Sequence, residues 1–384
     1  MCKEVKDTNL NWTLNVVARW VVGAVFLFSS SVKGVDPLGT SYKITEYLTT
    51  WTFLGMNFDW LVPMATFMAM CLIVAEFLVG VLMITGSFRR FGAWLLLLMM
   101  AFFTGTTLFD AITNEVTDCG CFGDAIKLTN WQTFWKNIAL DVPTVWIFIT
   151  RGLRARRRFE RDMLVTIFAV VAMVIFELFN IYNEPCIDFR AWKVGNQMID
   201  MDESLQVKSY VTYRNKATGE TDEFLSEELV RKMEDPAWEE SWEWESSRVV
   251  DPHEIRAAGF SMLDYEMNDH AKELIGSEGY VLIATAHHLD KVNEQGVESL
   301  RWAVEYAKEN NMQMVMLVSA LPEEMEAFRE VLASDGVDFY FADATAIETM
   351  MRSNPGFVLL KGGKVVGKWH YRRVRNMSET RLEE

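Results

Sequence analysis

The side chains best suited to chemistry in this chain are Cys119 and Cys121, in the run Asp118-Cys119-Gly120-Cys121-Phe122-Gly123. One glycine separates the two thiols, and the whole chain holds five cysteines. A Cys-x-Cys disulfide closes a small, strained ring, and strained disulfides are more oxidising and more easily broken than structural ones. That suits electron exchange better than stapling. Two blander readings stay open: half of a metal site, or two inert thiols at a turn. Thiolate metal sites take further Cys or His ligands, and no histidine is near in the sequence, so no metal is expected. The acidic neighbour Asp118 disfavours a thiolate at Cys119 and makes Cys121 the better attacking group.

The elements that must position these thiols are apolar. Five runs, near 12–32, 61–85, 91–110, 132–150 and 163–183, approach the roughly twenty residues a membrane-crossing helix needs. Half of the 384 residues are hydrophobic, and the net charge is −16. Residues 1–186 carry 15 basic and 15 acidic side chains, whereas 187–384 carry 22 and 38. A neutral membrane domain followed by an acidic, water-soluble one is the natural division. Such acidity excludes nucleic acid as an expected partner. The first run leads into Lys33-Gly34 rather than a small-residue cleavage site, so it is expected to stay as a membrane anchor.

Short basic connections stay in the cytoplasm. Arg89-Arg90, the stretch Arg151 to Arg161, and Lys3 with Lys6 therefore agree on one topology, an inner-membrane protein with a cytoplasmic amino terminus. Loops 33–60 and 111–131 and everything after residue 184 then face the periplasm, where disulfides persist. Cys186, after Asn183-Glu184-Pro185, emerges on that same side and is a candidate relay partner for the pair. Ser41 to Phe53 reads as an interfacial helix or an amphipathic loop. Cys71 reads as a small packing residue.

Ionisable residues inside the runs are few, and each is costly in lipid unless it meets a partner or a wet cavity. They are Arg19, Glu76, Asp141 and Glu177, with Asp110 at the end of the third run. An Arg19–Glu76 pair is expected from their similar depth. Asp141 precedes Pro143, where the helix backbone is weakened. Glu76 and Asp141 are read either as sites for proton or quinone chemistry or as structural links between helices.

Arg19-x3-Gly23-x4-Phe28, Lys33-Gly34, Asp36-Pro37, Ala75-Glu76-x3-Gly80-x5-Gly86 and CGCFG, followed by Trp131 and Lys136-Asn137-x3-Asp141, resemble the DoxX/MauE group of bacterial membrane proteins. The resemblance covers residues 10–150 and is closest to the form carrying an extra helix and a thioredoxin-like tail. It implies a four-helix core, thiol redox work on the outer face, and Cys119 and Cys121 as the redox pair. For some members of the group it implies sulfur oxidation linked to a membrane quinone.

Residues 187–275 read as a β-rich connector. Val207 to Tyr213 and Thr221 to Leu225 are expected to form strands flanking a turn, followed by the aromatic and acidic Trp238 to Trp244. From residue 276 to 375 the order β-α-β-α-β-α-ββ predicts an α/β sandwich resembling thioredoxin, with Asn354-Pro355-Gly356 before the last hairpin. Where a thioredoxin carries Cys-x-x-Cys, this chain has Ala286-His287-His288-Leu289, and the two histidines are expected at the surface. A polar tail, 376–384, closes the chain. The fold class expected is thus a membrane all-α bundle, a four-helix core (1–150) plus a fifth helix within 151–186, followed by a soluble α/β thioredoxin-like domain.

These features suggest a membrane thiol–disulfide redox protein acting with Cys119, Cys121 and Cys186 on an exported client or a periplasmic thioredoxin-like partner. The alternative is a non-catalytic anchor that presents the tail as a docking domain. The first implies an oxidoreductase; the second does not.

Overall fold

The computed structural model describes residues 8–380 except 52–57, 115, 117–119, 154–157, 201, 203–204, 234, 252, 258 and 333–336. The chain divides into two compact units, residues 1–190 and 191–384.

The first unit is helical. Helix α1 (Asn9–Val35) starts where the Thr8 hydroxyl accepts the Asn11 N–H, and it ends at Asp36. Asp36 also caps α2 (Pro37–Thr50): its carboxylate accepts the Gly39 N–H, with Pro37 at the first helical position, where a missing N–H does no harm. A single residue therefore joins the two helices. Lys33 and Gly34 are helical, not the start of a loop, and most of the expected interfacial segment is α2. After a 3₁₀ turn (Asp59–Met64) come α3 (Ala65–Thr85), α4 (Arg89–Thr113), α5 (Asn130–Ile149) and α6 (Phe159–Tyr182). Gly86 stops α3 in the left-handed region, at φ 71°. A capping box between Thr129 and Gln132 starts α5.

Among the described residues four helices are long and apolar enough to cross a membrane: Asn9–Val35, Asp59–Thr85, Arg89–Thr113 and Phe159–Tyr182. The run expected at 132–150 does form a helix, α5, and continues through Pro143, but it is not one of the four. Gln132, Lys136, Asn137 and Asp141 dilute its apolar character. It packs along α4 and α1.

The second unit begins with a three-stranded antiparallel sheet. Strands β1 (Lys208–Asn215) and β2 (Thr221–Leu225) form the expected hairpin. Helices α7 (Ser226–Met233) and α8 (Pro236–Ser241) lead into β3 (Trp242–Val250) on the other edge of β1. Trp238 and Trp242 stack at 6.0 Å and close over Phe224, while Trp238 also meets Tyr213. This is an aromatic cover on a small sheet.

Beyond the short helix α9 (Ala271–Ile275) lie β4 (Tyr280–Ala286), α10 (Glu294–Glu309), β5 (Gln313–Val318), α11 (Pro322–Leu332), β6 (Asp338–Phe341), α12 (Ala344–Met350), β7 (Gly356–Lys361) and β8 (Lys364–His370). The sheet order is β6-β5-β4-β7-β8, with β4, β5 and β6 parallel and β7 and β8 antiparallel. Alternation along β4 and β5 sends successive side chains to opposite faces. Leu282, Ala284, Met314 and Met316 meet Leu300, Val304 and Met325 on one face. Val281, Ile283, Val315 and Leu317 meet Trp192, Ile199, Met262 and Ile347 on the other. Both faces are covered, which is why these strands read as unbroken apolar runs. Residues around Trp192 and Met198 thus belong to this core rather than to a connector.

The Asn354–Pro355 peptide bond is cis. The Asn354 side chain donates to the His288 carbonyl at 2.7 Å and accepts the His288 N–H at 3.3 Å. His288 is exposed, but His287 is only 8 % exposed, against the surface position expected for it. Burial, followed by the charges of His288, Lys291 and Arg352, pushes the His287 imidazole down to about 4.

Candidate functional site at Cys121

Two glycines set the framework. A methyl group at Gly23 of α1 would lie 3.1 Å from the Gly80 carbonyl oxygen of α3, and one at Gly80 would lie 3.0 Å from the Leu27 nitrogen. Side chains come closer still, Ile84 Cγ1 at 2.8 Å and Leu27 Cγ at 2.7 Å, so a methyl at either position meets both side chain and backbone and pushes the crossing apart. Glu76 precedes Gly80 by one helical turn and shares its face. The close crossing brings its carboxylate, 1 % exposed, to α1.

There Lys33 Nζ meets Glu76 Oε1 at 2.6 Å, a buried ion pair. The Ser29 hydroxyl lies 3.0 Å from Glu76 Oε2 and 2.7 Å from the carbonyl oxygen of Cys121. One hydroxyl carries one proton, so Ser29 is a donor shared between the acid and the thiol loop. Ser29 and Lys33 stand four residues apart on one face of α1. The loop is held by apolar contacts as well. Phe122 packs on Phe28 with ring centroids 5.5 Å apart, and Lys136 Nζ lies 4.4 Å from the Phe122 centroid. Gly120 and Gly123 turn the chain with positive φ, 61° and 51°, and the Gly123 N–H bonds the Gly120 carbonyl. At Gly120 the Lys43 side chain of α2 stands alongside. Asn130, at the start of α5, donates to the Val116 and Asp110 carbonyls and to Asn114 Oδ1, closing the loop's base. Two basic residues thus flank the segment that carries Cys121.

Cys186 emerges at the same end of α1. Its N–H bonds Asn180 Oδ1 at 3.0 Å, and Asn180 Nδ2 donates to the Gly34 carbonyl at 3.0 Å. Gly34 follows Ser29 by five residues, roughly 7.5 Å of helix rise. The Cys186 thiol is exposed. Beyond it, Arg190 is buried and paired with Asp188 at 2.7 Å and Glu184 at 3.3 Å. Burial alone would push its guanidinium down, but these two carboxylates and Asp36 outweigh burial and hold it above its ordinary value.

Several expectations are corrected here. Arg19 does not meet Glu76. The partner of Glu76 is Lys33, and Arg19 instead donates twice to the Met83 carbonyl, at 2.9 and 2.6 Å. Arg19 and Lys33 are 14 residues apart on α1, roughly 21 Å of rise, so no carboxylate serves both. Cys71 is exposed rather than packed. Glu177 is buried, and neither carboxyl oxygen has a hydrogen-bond partner among the described residues. Cys119 and Asp118 lie outside the described residues. Ser29 and Asn180 were missed by sequence reasoning; the only signal was their polarity inside apolar runs.

Asp141 accepts a 2.9 Å hydrogen bond from Thr104 and shares no partner with Glu76. The carboxylates expected to hold a quinone are thus engaged separately, Glu76 by Lys33 and Ser29 and Asp141 by Thr104.

Residues 11–150 match the family model of the methylamine utilisation protein MauE. The match ends at the last turn of the bundle's fifth helix, α5, and includes the whole Lys33–Glu76–Ser29–Cys121 set. No curated protein and no solved structure gives a match.

Proposed function

Starting from residues 11–150 as a MauE-like membrane segment, we propose that the chain is a membrane thiol–disulfide exchange protein whose reacting groups are Cys119 and Cys121. The observation that carries this reading is the anchoring of Cys121: its carbonyl accepts from Ser29, which also meets the buried Lys33–Glu76 pair, and Gly120 and Gly123 turn the chain on either side of it. A redox loop needs a fixed base and a turn that can close and open a small ring.

The exchange runs in two steps. A thiolate attacks one sulfur of a disulfide, forming a mixed disulfide and releasing the other sulfur as a thiolate. The neighbouring thiol then displaces the partner, so that one disulfide breaks, one forms, and two electrons and two protons pass between the dithiols. The proposed partners are an exported protein and a thioredoxin-like protein, which supply and accept the electrons as dithiol and disulfide. No step is routed through a quinone. Cys186, exposed at the same end of α1, is the proposed relay thiol. The proposed localisation is the bacterial inner membrane, with the thiols and the second unit on the periplasmic side and the basic connections in the cytoplasm.

A second reading has its own support. The second unit has Ala286-His287-His288-Leu289 after β4 and no cysteine there, so that domain itself carries out no exchange. It serves as a docking or scaffold module, and a purely structural anchor is the rival to the redox reading.

Trapping of thiol state separates the two. Intact cells are quenched in acid and labelled with a mass-shifting maleimide, comparing wild type with Cys119→Ser and Cys121→Ser. Redox-dependent labelling, or a mixed disulfide captured by one single variant, is the expected result. Labelling that never changes, with neither variant capturing a partner, refutes the exchange reading and leaves the anchor.

A further inference from the structure

At the opposite end of α1 from Cys121, three arginines from three different parts of the chain converge on one cleft. Its walls are Asn15 and Arg19 of α1, Met83 of α3, Arg89 at the start of α4, Ile147 of α5, and Arg151 just beyond α5. Arg19 is 5 % exposed, and its guanidinium has no acidic partner among the described residues; its hydrogen bonds go to the neutral Met83 carbonyl. Arg89 donates to the Leu153 carbonyl at 2.9 Å and lies 4.6 Å from the Trp12 ring. Arg151 lies over Trp94 and Phe148, at 5.8 and 4.1 Å, and donates to the Phe148 carbonyl. The charges of Arg19 and Arg89 repel one another. Asp162, whose field reaches Arg89, also pairs with Arg161 at 2.9 Å.

The site is built rather than incidental. A methyl group at Gly86 would lie 2.7 Å from Arg19 Nη2, so the glycine at the end of α3 leaves the space that the guanidinium fills. Asn15 is fixed by its bond to Thr150 Oγ1 at 2.7 Å. Buried positive charge without a counter-charge is costly, and an anion relieves it. Guanidinium groups held by aromatic rings suit phosphate oxygens. The cleft has room for about one oxygen, 10 Å³, so a phosphate would lodge one oxygen there and keep its remainder at the mouth. Around that end Trp20, Phe91 and Trp94 are half-exposed on helices able to cross a membrane. Tryptophan at such a level marks the bilayer interface, and basic clefts between membrane helices hold acidic headgroups.

We propose that this three-arginine cleft binds an anionic phosphate group, presented by the phosphodiester of an acidic phospholipid. Arg19 supplies the buried charge, and Arg89 and Arg151 close on the headgroup from α4 and from the turn after α5. The site is independent of the thiol chemistry.

The test uses the full chain in detergent micelles doped with either phosphatidylglycerol or phosphatidylcholine, with thermal unfolding and native mass spectrometry as readouts. Phosphatidylglycerol is expected to raise the midpoint by roughly 5–10 °C over phosphatidylcholine and to be retained as one bound copy. Arg151→Gln at the mouth should halve that shift or more, the shift being read against the variant's own midpoint in phosphatidylcholine. This variant keeps the test decisive even if Arg19→Gln fails to fold. Equal midpoints in the two lipids, or an undiminished shift in Arg151→Gln, overturn the proposal. Inorganic phosphate reproducing the full shift in phosphatidylcholine micelles overturns the lipid as the source of the phosphate.

Discussion

Replacing Glu76 by leucine removes one half of a pair whose members are 7 % and 1 % exposed, and leaves the Lys33 ammonium buried with its 2.6 Å partner gone. Breaking a buried ion pair from one side costs about 3–5 kcal/mol, most of it the stranded charge. Ser29 loses one of its two acceptors as well, at up to about 1 kcal/mol for a hydrogen bond between helices, and keeps the Cys121 carbonyl. Removing both charges together, Lys33→Met with Glu76→Leu, leaves an apolar contact of similar volume and should recover most of the loss. A double-mutant cycle read by chemical unfolding of the full chain in micelles therefore gives a coupling of several kcal/mol. The chemistry follows the fold: with Glu76 absent, Ser29 keeps its bond to the Cys121 carbonyl but α1 loses the ion pair that fixes it against α3, and maleimide should label Cys121 faster in Glu76→Leu than in wild type. Ser29→Ala should reproduce the faster labelling with only about 1 kcal/mol of destabilisation. A Glu76→Leu variant as stable as wild type, or a coupling near zero, refutes the assignment of the pair as the loop's base.

Protonation gives an independent readout on the second unit. His287 and His370 are both pushed down to about 4, chiefly by burial, whereas unfolded histidine titrates near 6.5. Between those values the unfolded chain binds more protons, so this contribution is intact above about pH 6.5 and is lost as pH falls toward 4, by up to about 3 kcal/mol for each histidine. His287→Gln should flatten the fall in thermal midpoint over that window, and an unchanged profile counts against burial of the neutral ring. His270 runs the other way, since Asp264 raises it, and its small contribution fades as pH rises. In the first unit, Glu177→Leu replaces a carboxyl with two unpartnered oxygens and should raise stability by about 1–3 kcal/mol in an unfolding titration; a loss of that size would mean that Glu177 has an essential partner. Gly296→Ala drives a methyl to 2.7 Å from Pro355 Cδ, a ring that cannot swing aside, and should cost about 1–3 kcal/mol by thermal unfolding, whereas a neutral result refutes that packing.

The membrane helices were legible because apolar length is written locally, and so was the alternation of strands and helices in the second unit. The end of α1 was not: Lys33-Gly34 reads as a break, yet Asp36 caps one helix and starts the next, which carries the helix past both. The pairing of Glu76 was also beyond local reading. Depth along a helix ranks Arg19 and Lys33 only roughly, and the choice between them is made by the Gly23–Gly80 crossing, a contact between residues far apart in the chain. His287 was misjudged because a histidine pair looks polar, while one of the two is buried just past the end of β4. The CGCFG run announced thiol chemistry, but Ser29, which ties Cys121 to the bundle, carries no signature of its own.

The Lys33–Glu76 pair also imposes an order in time. Its members are 43 residues apart, so at the usual 5–20 residues per second a ribosome finishes Lys33 roughly 2–9 s before Glu76 exists. Throughout that interval α1 carries an ammonium whose Glu76 partner has not been synthesised. Its long stem lets the charge reach back toward the headgroups. Release of α1 into lipid is thus most favourable once α3 has emerged to meet it, making the first and third helices, rather than the first alone, the unit of insertion.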